Sequence, residues 1–555
     1  MNYSIDTYFE NDQKYYIYNE ESKHRKVFLN SITHTFNELE KFTKKFESNN
    51  LYILIGVGNG KIIESLLKAN FAHCLIIEPY DEIVLDKKHM EIIRDNKNIT
   101  FYYLKDISSL LFNEYIKKFL GLKVNILVHP RYENTNKYKL KEITELIKNG
   151  TTMTKVNENT ENYFKLDWVV EPLLNLKYTT SLPSIDSLKN KYQGETALLI
   201  ASGPTLEENI SFIKKMKSNA HIFSVGSALK KLLNHHVNPD FVTAIDSSIK
   251  NFDAHFKGVN YNGPMIISGM LNSNIVNQHK GPIYLTNLNI DSVTKLYRTD
   301  IPVFPSVPSV AVYTLQLMKY LGFSKVYLIG QDLALIDGEY YANGVTVHQH
   351  SNKFEPQLYV EANDGRKVGT LYSLYAHLQS FNELISVFDH ETIKIYNLSK
   401  HGAKIKGVEY VSPDSVIIES TKKGNPSDYD RINLDENKEV IINFIENLKI
   451  TKNIIDETLE KFKKLNTKVV TQKDLKIALN LLTRIRSQEI IEDVILMQLT
   501  FFLQKINNKF EYIFNKESIT NQDRLDMVSE IIRLIEAVYK YINEILDDER
   551  LEDFV

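Results

Sequence analysis

The chain has 555 residues, with 67 Lys and Arg against 70 Asp and Glu; its formal net charge of −3 leaves no overall positive field to hold a nucleic-acid backbone. Its 43% hydrophobic and 25% charged residues are those of a globular protein, which excludes a disordered or fibrous chain, and its length suits about three to four units. The single cysteine, Cys74, lies in an apolar run, so neither a disulfide framework nor a cysteine-rich zinc site is available.

The first residues, MNYSIDTYFENDQ, lack the basic and apolar blocks of a signal peptide, and no run approaches the ~20 apolar residues of a membrane span. A cytoplasmic protein with no membrane span is expected. Residues 51–56 (LYILIG) form a short apolar run closed by glycine, followed by a helix-like stretch and then by residues 74–78 (CLIIE). A third run, residues 124–128 (VNILV), ends at His129 and Pro130. The alternation of strand, turn and helix predicts a small Rossmann-like α/β domain with a parallel sheet over residues 1–165.

From Thr196 the same alternation restarts. Apolar runs at residues 197–201, 221–225, 241–245, 265–268, 283–285 and 326–329 are separated by turns or by helical stretches such as residues 310–321. Consecutive apolar positions suit strands buried on both faces, so a doubly wound α/β domain is expected over residues 166–425. Beyond Pro426 there is neither glycine nor proline, and Ile441, Ile445, Leu448, Ile455, Leu459 and Phe462 recur at helical spacing, as do Leu525, Val528, Ile532, Ile535 and Tyr539. An α-helical bundle over residues 426–555 follows, with structure, partner docking or homo-oligomer formation as its roles.

Ligands of an open parallel sheet bind beyond the carboxyl ends of its strands, so the residues just after each apolar run are the candidates. These are Ser202, Gly203, Pro204 and Thr205; Gly226 and Ser227; Asp246, Ser247 and Ser248; Gly269; and Gly330, Gln331 and Asp332. The turn at Gly203 permits close backbone approach, and the helix start after it offers unpaired N–H groups to a phosphate. Ser306 and Ser309, in the proline-stiffened entry to residues 310–321, add hydroxyls at a second helix start. Five strand ends are thus expected to converge on one cleft, although each polar turn alone is also an ordinary helix cap.

The stretches ALLIASGPTLEENI, PSVPSVAVYTLQLMKYLGFSKVYLIGQDLAL, EANDGRKVGT and HGAKIKG, with the Asp246–Ser247 strand end, resemble the bacterial motility-associated factor (Maf) flagellin glycosyltransferases. The resemblance covers the central domain and extends to the three-part layout. It implies a sialyltransferase-like central domain that moves a nonulosonic acid, of the pseudaminic or legionaminic type, from a CMP-activated donor to Ser or Thr of flagellin for flagellum assembly and motility. It further implies that Gly203, Pro204 and Thr205 line the nucleotide and that Asp246, Ser306, Gln331 and Asp332 line the donor cleft. Asp246, Asp332, His348 and His350 are candidates for the base, and no spacing chooses among them. Tyr340 or Tyr341, or the backbone at Gly203, would assist the leaving phosphate, although Tyr340–Gly344 departs from the histidine frequent in that family.

No Asp-x-Asp pair stands at a strand end, and Asp428-Tyr429-Asp430 falls in a polar linker, so no metal site is expected; CMP leaves with one phosphate, and no further cofactor is expected. Gly56, Gly58 and Gly60 after one strand, with Glu78 ending the next, match the pattern of a nucleotide or methyl-donor site. Three alternatives therefore stand beside the transferase: a pterin pyrophosphokinase-like enzyme of related fold, a non-catalytic flagellin-binding chaperone, and a methyltransferase using residues 56–60.

Overall fold

The computed structural model describes residues 3–10, 13–20, 25–29, 43–44, 46–47, 50–135, 137–345, 353–389, 392–417, 422, 437–463, 469–514, 516 and 518–554. The chain forms two compact units: residues 1–160, 465–479 and 500–532 make one, and residues 161–464, 480–499 and 533–555 the other.

In the first unit, β1 (Tyr3–Glu10), β2 (Gln13–Glu20) and β3 (Arg25–Phe28) pair antiparallel in that order. β4 (Asn50–Ile55), β5 (His73–Glu78), β6 (Ile99–Tyr103) and β7 (Lys123–Val128) form a parallel sheet of order β6-β5-β4-β7. Every residue of β4 and β5 is buried, which is why both read as unbroken apolar runs. The antiparallel sheet escaped the sequence reading because its tyrosines are mixed with polar and charged residues and form no plain aliphatic run; Tyr16 and Tyr18 nonetheless enter the core, Tyr18 beside Tyr80.

The second unit holds β8 (Thr196–Ile200), β9 (His221–Val225), β10 (Phe241–Ala244), β11 (Met265–Ser268), β12 (Ile283–Leu288), β13 (Val303–Phe304), β14 (Lys325–Ile329), the antiparallel hairpin β15 (Leu358–Glu361) and β16 (Lys367–Thr370), then β17 (Lys394–Asn397) and β18 (Glu409–Tyr410). Nine of them make one parallel sheet of order β13-β12-β11-β10-β9-β8-β14-β17-β18. The chain enters at β8, steps outward to β13, then returns to the other side of β8 as β14. Strand order therefore reverses between β8 and β14, and a crevice opens at their carboxyl ends. Helix Val310–Leu321 lies over the β8–β10 side of the sheet and buries Val312, Leu315, Met318 and Leu321 in the main core.

The helical periodicity past residue 426 is real: Ile441, Ile445, Leu448, Ile455 and Phe462 of helix Glu439–Phe462 are buried, as are Val528 and Ile535 of helix Asn521–Leu546. Residues 426–555 do not cluster as one body, however; some of these segments pack with the first unit and some with the second. An amphipathic helix specifies that its apolar stripe must be covered and does not specify by what. No helix among the described residues is long and apolar enough to cross a membrane.

Candidate active site

The crevice between β8 and β14 deepens into a cavity of about 250 Å³. Its walls are the residues that follow β8, β9, β10 and β14, the first turns of helices Gly226–Asn234 and Val310–Leu321, and two side chains of helix Tyr372–Ser386.

Gly203 and Asp332 set how tightly the crevice closes. The Gly203 N–H donates to the Gly330 carbonyl at 2.8 Å, continuing the β8–β14 ladder past its end. A Cβ on Gly203 would stand 2.5 Å from both the Gly330 carbonyl oxygen and Asp332 Oδ2, so only glycine fits. Gly330 turns with φ +63°, and a side chain there would also strike the Ala201 carbonyl. Asp332, 2% exposed, accepts from the Thr205 N–H at Oδ2 (2.9 Å) and from the Thr205 hydroxyl at Oδ1 (2.5 Å). Burial pushes its carboxyl above the usual aspartate range, against the opposing pull of those bonds. Both oxygens thus hold the turn in place, and the Thr205 hydroxyl also meets Ser399 Oγ at 2.9 Å.

Beside this turn, the hydroxyls of Ser202 and Ser227 lie 2.7 Å apart at the start of helix Gly226–Asn234. Ser309, Val310 and Ala311 bring a second helix start to the cavity, so two helix N-termini, whose first N–H groups have no partner within the helix, border it. Neither Lys nor Arg is among the described residues that line it. An anionic group would therefore be met by N–H dipoles and hydroxyls, which stabilise negative charge without a fixed cation.

Two histidines that the sequence reading overlooked also line the cavity. Burial pushes His255 and His377 down to about 4, so both are neutral imidazoles near pH 7, although a hydrogen bond to the Pro308 carbonyl opposes the shift at His377. Crowding by protein raises Tyr340 and Tyr341 and keeps their hydroxyls protonated. Asp246 stands where solvent reaches its side chain through the cavity while protein surrounds it elsewhere; that crowding, with the charge of Asp167, raises its carboxyl, and the Ser248 N–H bonded to Oδ1 at 2.8 Å acts the other way. Gln331 Oε1 and Thr243 Oγ1, both buried in residues of the cavity wall, have no hydrogen-bond partner among the described residues.

Of the candidates read from sequence, Ser202, Gly203, Gly226, Ser227, Asp246, Ser309, Gln331, Asp332 and Tyr340 line the cavity together. Pro204, Thr205 and Ser306 do not: Pro204 opens the turn Pro204–Asn209, Thr205 is buried against Asp332, and exposed Ser306 donates its N–H to Asn289 Oδ1 at 2.7 Å. Four of the five strand ends converge; Gly269, after β11, is closed off, since a Cβ there would overlap Thr294 Oγ1 at 1.9 Å. His348 and His350, like Asp428 and Asp430, lie outside the described residues. No local pattern marks His255 or His377; each stands on a helix whose packing against the crevice depends on the sheet order.

The glycine turn of the first unit is filled by its own side chains. A Cβ on Gly56 would be 2.5 Å from the Tyr132 ring, and one on Gly60 would be 2.6 Å from the His89 ring. The Tyr132 hydroxyl accepts from the Gly58 N–H at 3.0 Å and donates to Glu78 Oε2 at 2.8 Å. Glu78, fully buried, also accepts from the Val57 and Tyr80 N–H groups. The acid and the N–H groups that would meet a ribose or methyl donor in this pattern are thus already paired with one another.

Residues 171–338, which include most of the cavity wall, match the family model described as 6-hydroxymethylpterin diphosphokinase MptE-like. A protein of Treponema pallidum (strain Nichols), described as uncharacterized, is 26% identical over 126 residues, 22% of this chain; the chain spans 57% of that relative's length. Among solved structures, the Maf glycosyltransferase from Magnetospirillum magneticum AMB-1 superposes with a TM-score of 0.51 at 14% identity, over 99% of this chain and 94% of the other. The chain shares that fold along its whole length, the α/β architecture with C-terminal helices expected from the resemblance.

Proposed function

We propose that this chain is a glycosyltransferase that takes a nonulosonic acid of the pseudaminic or legionaminic type from CMP and attaches it to Ser or Thr of flagellin in the cytoplasm. The observation that supports this most is the cavity at the β8–β14 reversal, where two helix starts, a serine pair and neutral imidazole and phenol groups line one space. In the reaction, the acceptor oxygen bonds to the anomeric carbon as that carbon's bond to the CMP phosphate oxygen breaks. The acceptor proton passes to a base, and the charge left on the phosphate needs donors. Asp246, with its raised carboxyl, is the group best suited to take that proton; His255 and His377 are neutral near pH 7, but burial makes them weaker bases than a free imidazole. Tyr340, Tyr341, the Ser202–Ser227 pair and the helix N–H groups are donors for the phosphate. The reading calls for no resident metal, because the leaving group carries one phosphate.

The test is intact-mass measurement of flagellin co-expressed with this protein and a CMP-sugar pathway, with Asp246→Asn as the inactive comparison. A mass increase of whole sugar units with the wild type supports the reading. No increase under a confirmed donor supply overturns it.

The match of residues 171–338 to a diphosphokinase family favours a second reading, in which the same cavity passes diphosphate from ATP to a hydroxymethylpterin. Incubation with 6-hydroxymethylpterin, ATP and Mg²⁺ tests it: stoichiometric AMP release supports the kinase, and none removes it.

A further inference from the structure

Asp246 and Ser247 are held from behind by a chain of buried hydrogen bonds that runs to the last turn of the described chain. The Asn272 N–H donates to the Asp246 carbonyl at 3.2 Å, and Asn272 Nδ2 donates to the Ser247 carbonyl at 3.0 Å. The same Nδ2 reaches Glu171 Oε1 at 3.0 Å, and Glu171 Oε2 accepts from the Ser273 N–H at 2.7 Å. Glu171 and Asn272 are each 1% exposed. Arg550, in the turn Glu549–Leu551, donates through Nη1 to Glu171 Oε1 and to Asp167 Oδ1, both at 2.8 Å, while Asp548 takes its Nε and Nη2. Asp167, Glu171 and Asn175 fall four residues apart on helix Asp167–Thr179, so one helix face carries the stripe. Asn175 extends it, donating to the Gly269 and Leu271 carbonyls at 2.8 and 2.6 Å.

We propose that Arg550 is a positioning residue for the cavity: through Glu171 and Asn272 it fixes the backbone that carries Asp246. The inference rests on Asp246 belonging to the transfer site. A buried carboxylate keeps its charge only with a compensating cation and a full set of donors. Burial already raises the Glu171 carboxyl, against the pull of the Ser273 bonds and of Arg550; without Arg550 its charged form is disfavoured further, and a protonated carboxyl loses acceptor capacity, so Asn272 or the Ser273 N–H is released and the Asp246–Ser247 backbone with it. Removing Arg550 also leaves Asp167 unpaired. Asp246 shares the cavity with Asp332, Tyr340, Tyr341, His255 and His377, and crowding by protein, with the charge of Asp167 of helix Asp167–Thr179, raises its carboxyl, so an unopposed Asp167 disfavours the Asp246 carboxylate further. None of these steps places Arg550 in contact with substrate.

Hydrogen exchange of full-length wild type, Arg550→Gln, Arg550→Lys and Glu171→Gln is the test, with a pH profile of transfer where turnover is measurable. In Arg550→Gln, exchange of the amides at 246–248 and 271–274 rises tenfold or more while β8 and β14 keep their protection; Arg550→Lys retains part of it. Adding Arg550→Gln to Glu171→Gln produces no further rise at 271–274, because the charge to be compensated is gone. The acid limb of kcat/KM moves to higher pH in Arg550→Gln. Unchanged exchange at 246–248, additive effects of the two substitutions, or uniform loss of protection across the second unit each overturn the proposal. If exchange responds as described but no transfer occurs with the wild type, the relay stands and the transferase reading falls.

Discussion

Gly203 and Asp332, 129 positions apart, are in contact across the carboxyl ends of β8 and β14: a single methyl carbon on Gly203 would stand 2.5 Å from Asp332 Oδ2. Gly203 itself has φ −66°, which any residue adopts, so the demand for glycine is steric. Gly203→Ala therefore forces the turn away from the fixed Gly330 carbonyl. It should lower stability by about 1–3 kcal/mol and weaken CMP binding, as read by thermal unfolding and calorimetric titration.

Gln331→Leu separates folding from binding. Gln331 Oε1 is buried without a partner among the described residues, so replacing the amide by an apolar group of similar size should leave the melting temperature unchanged or raised. If that oxygen serves ligand, CMP affinity falls about 5- to 30-fold, roughly 1–2 kcal/mol. A parallel loss of stability and affinity would show instead that Gln331 is structural.

Asp246→Asn keeps an oxygen to accept the Ser248 N–H but cannot take a proton. The fold should survive and kcat should fall by about 100-fold or more, with KM changed less. Because the carboxyl lies above the usual aspartate range, the acid limb of the wild-type profile should stand above that range and vanish in the variant. Retained kcat would pass the role of base to His255 or His377.

Glu78 gives a pH dependence of stability to the first unit. Burial raises its carboxyl to about 8 against an ordinary value near 4.5, so the folded state holds a proton that the unfolded chain releases. The sign follows: Glu78 contributes its full stability below about 4.5, and that contribution declines as pH rises towards about 8, by on the order of 1.4 kcal/mol per unit. Denaturant unfolding of wild type and Glu78→Gln between pH 5 and 8 should show a flatter dependence for the variant, whose amide is neutral throughout. Equal slopes would exclude Glu78 as the source.

Much of the site was legible because buried parallel strands leave a plain mark. The strands that end at Ile200, Val225, Ala244 and Ile329 are buried and mostly apolar, and small or polar residues within three positions of each end line the cavity. Reading outward from each run therefore found Gly203, Ser227, Asp246 and Gln331. The same rule misplaced Gly269 and Thr205, since a strand end does not reveal whether its turn opens on the crevice or closes against a neighbouring helix.

The apolar runs, the helical periodicity and the small polar residues at the strand ends are legible in the chain, because burial on both faces and 3.6-residue spacing are local patterns. Tertiary structure alone decided that β14 returns beside β8, that His255 and His377 come to that junction, that Tyr132 fills the glycine turn, and that Arg550 reaches Glu171 from 379 positions away. The physical reason is common to all four. A strand, a helix face or a charged side chain specifies the kind of partner it must be given, and only the closed packing of the whole sheet and its helices selects which residue supplies it.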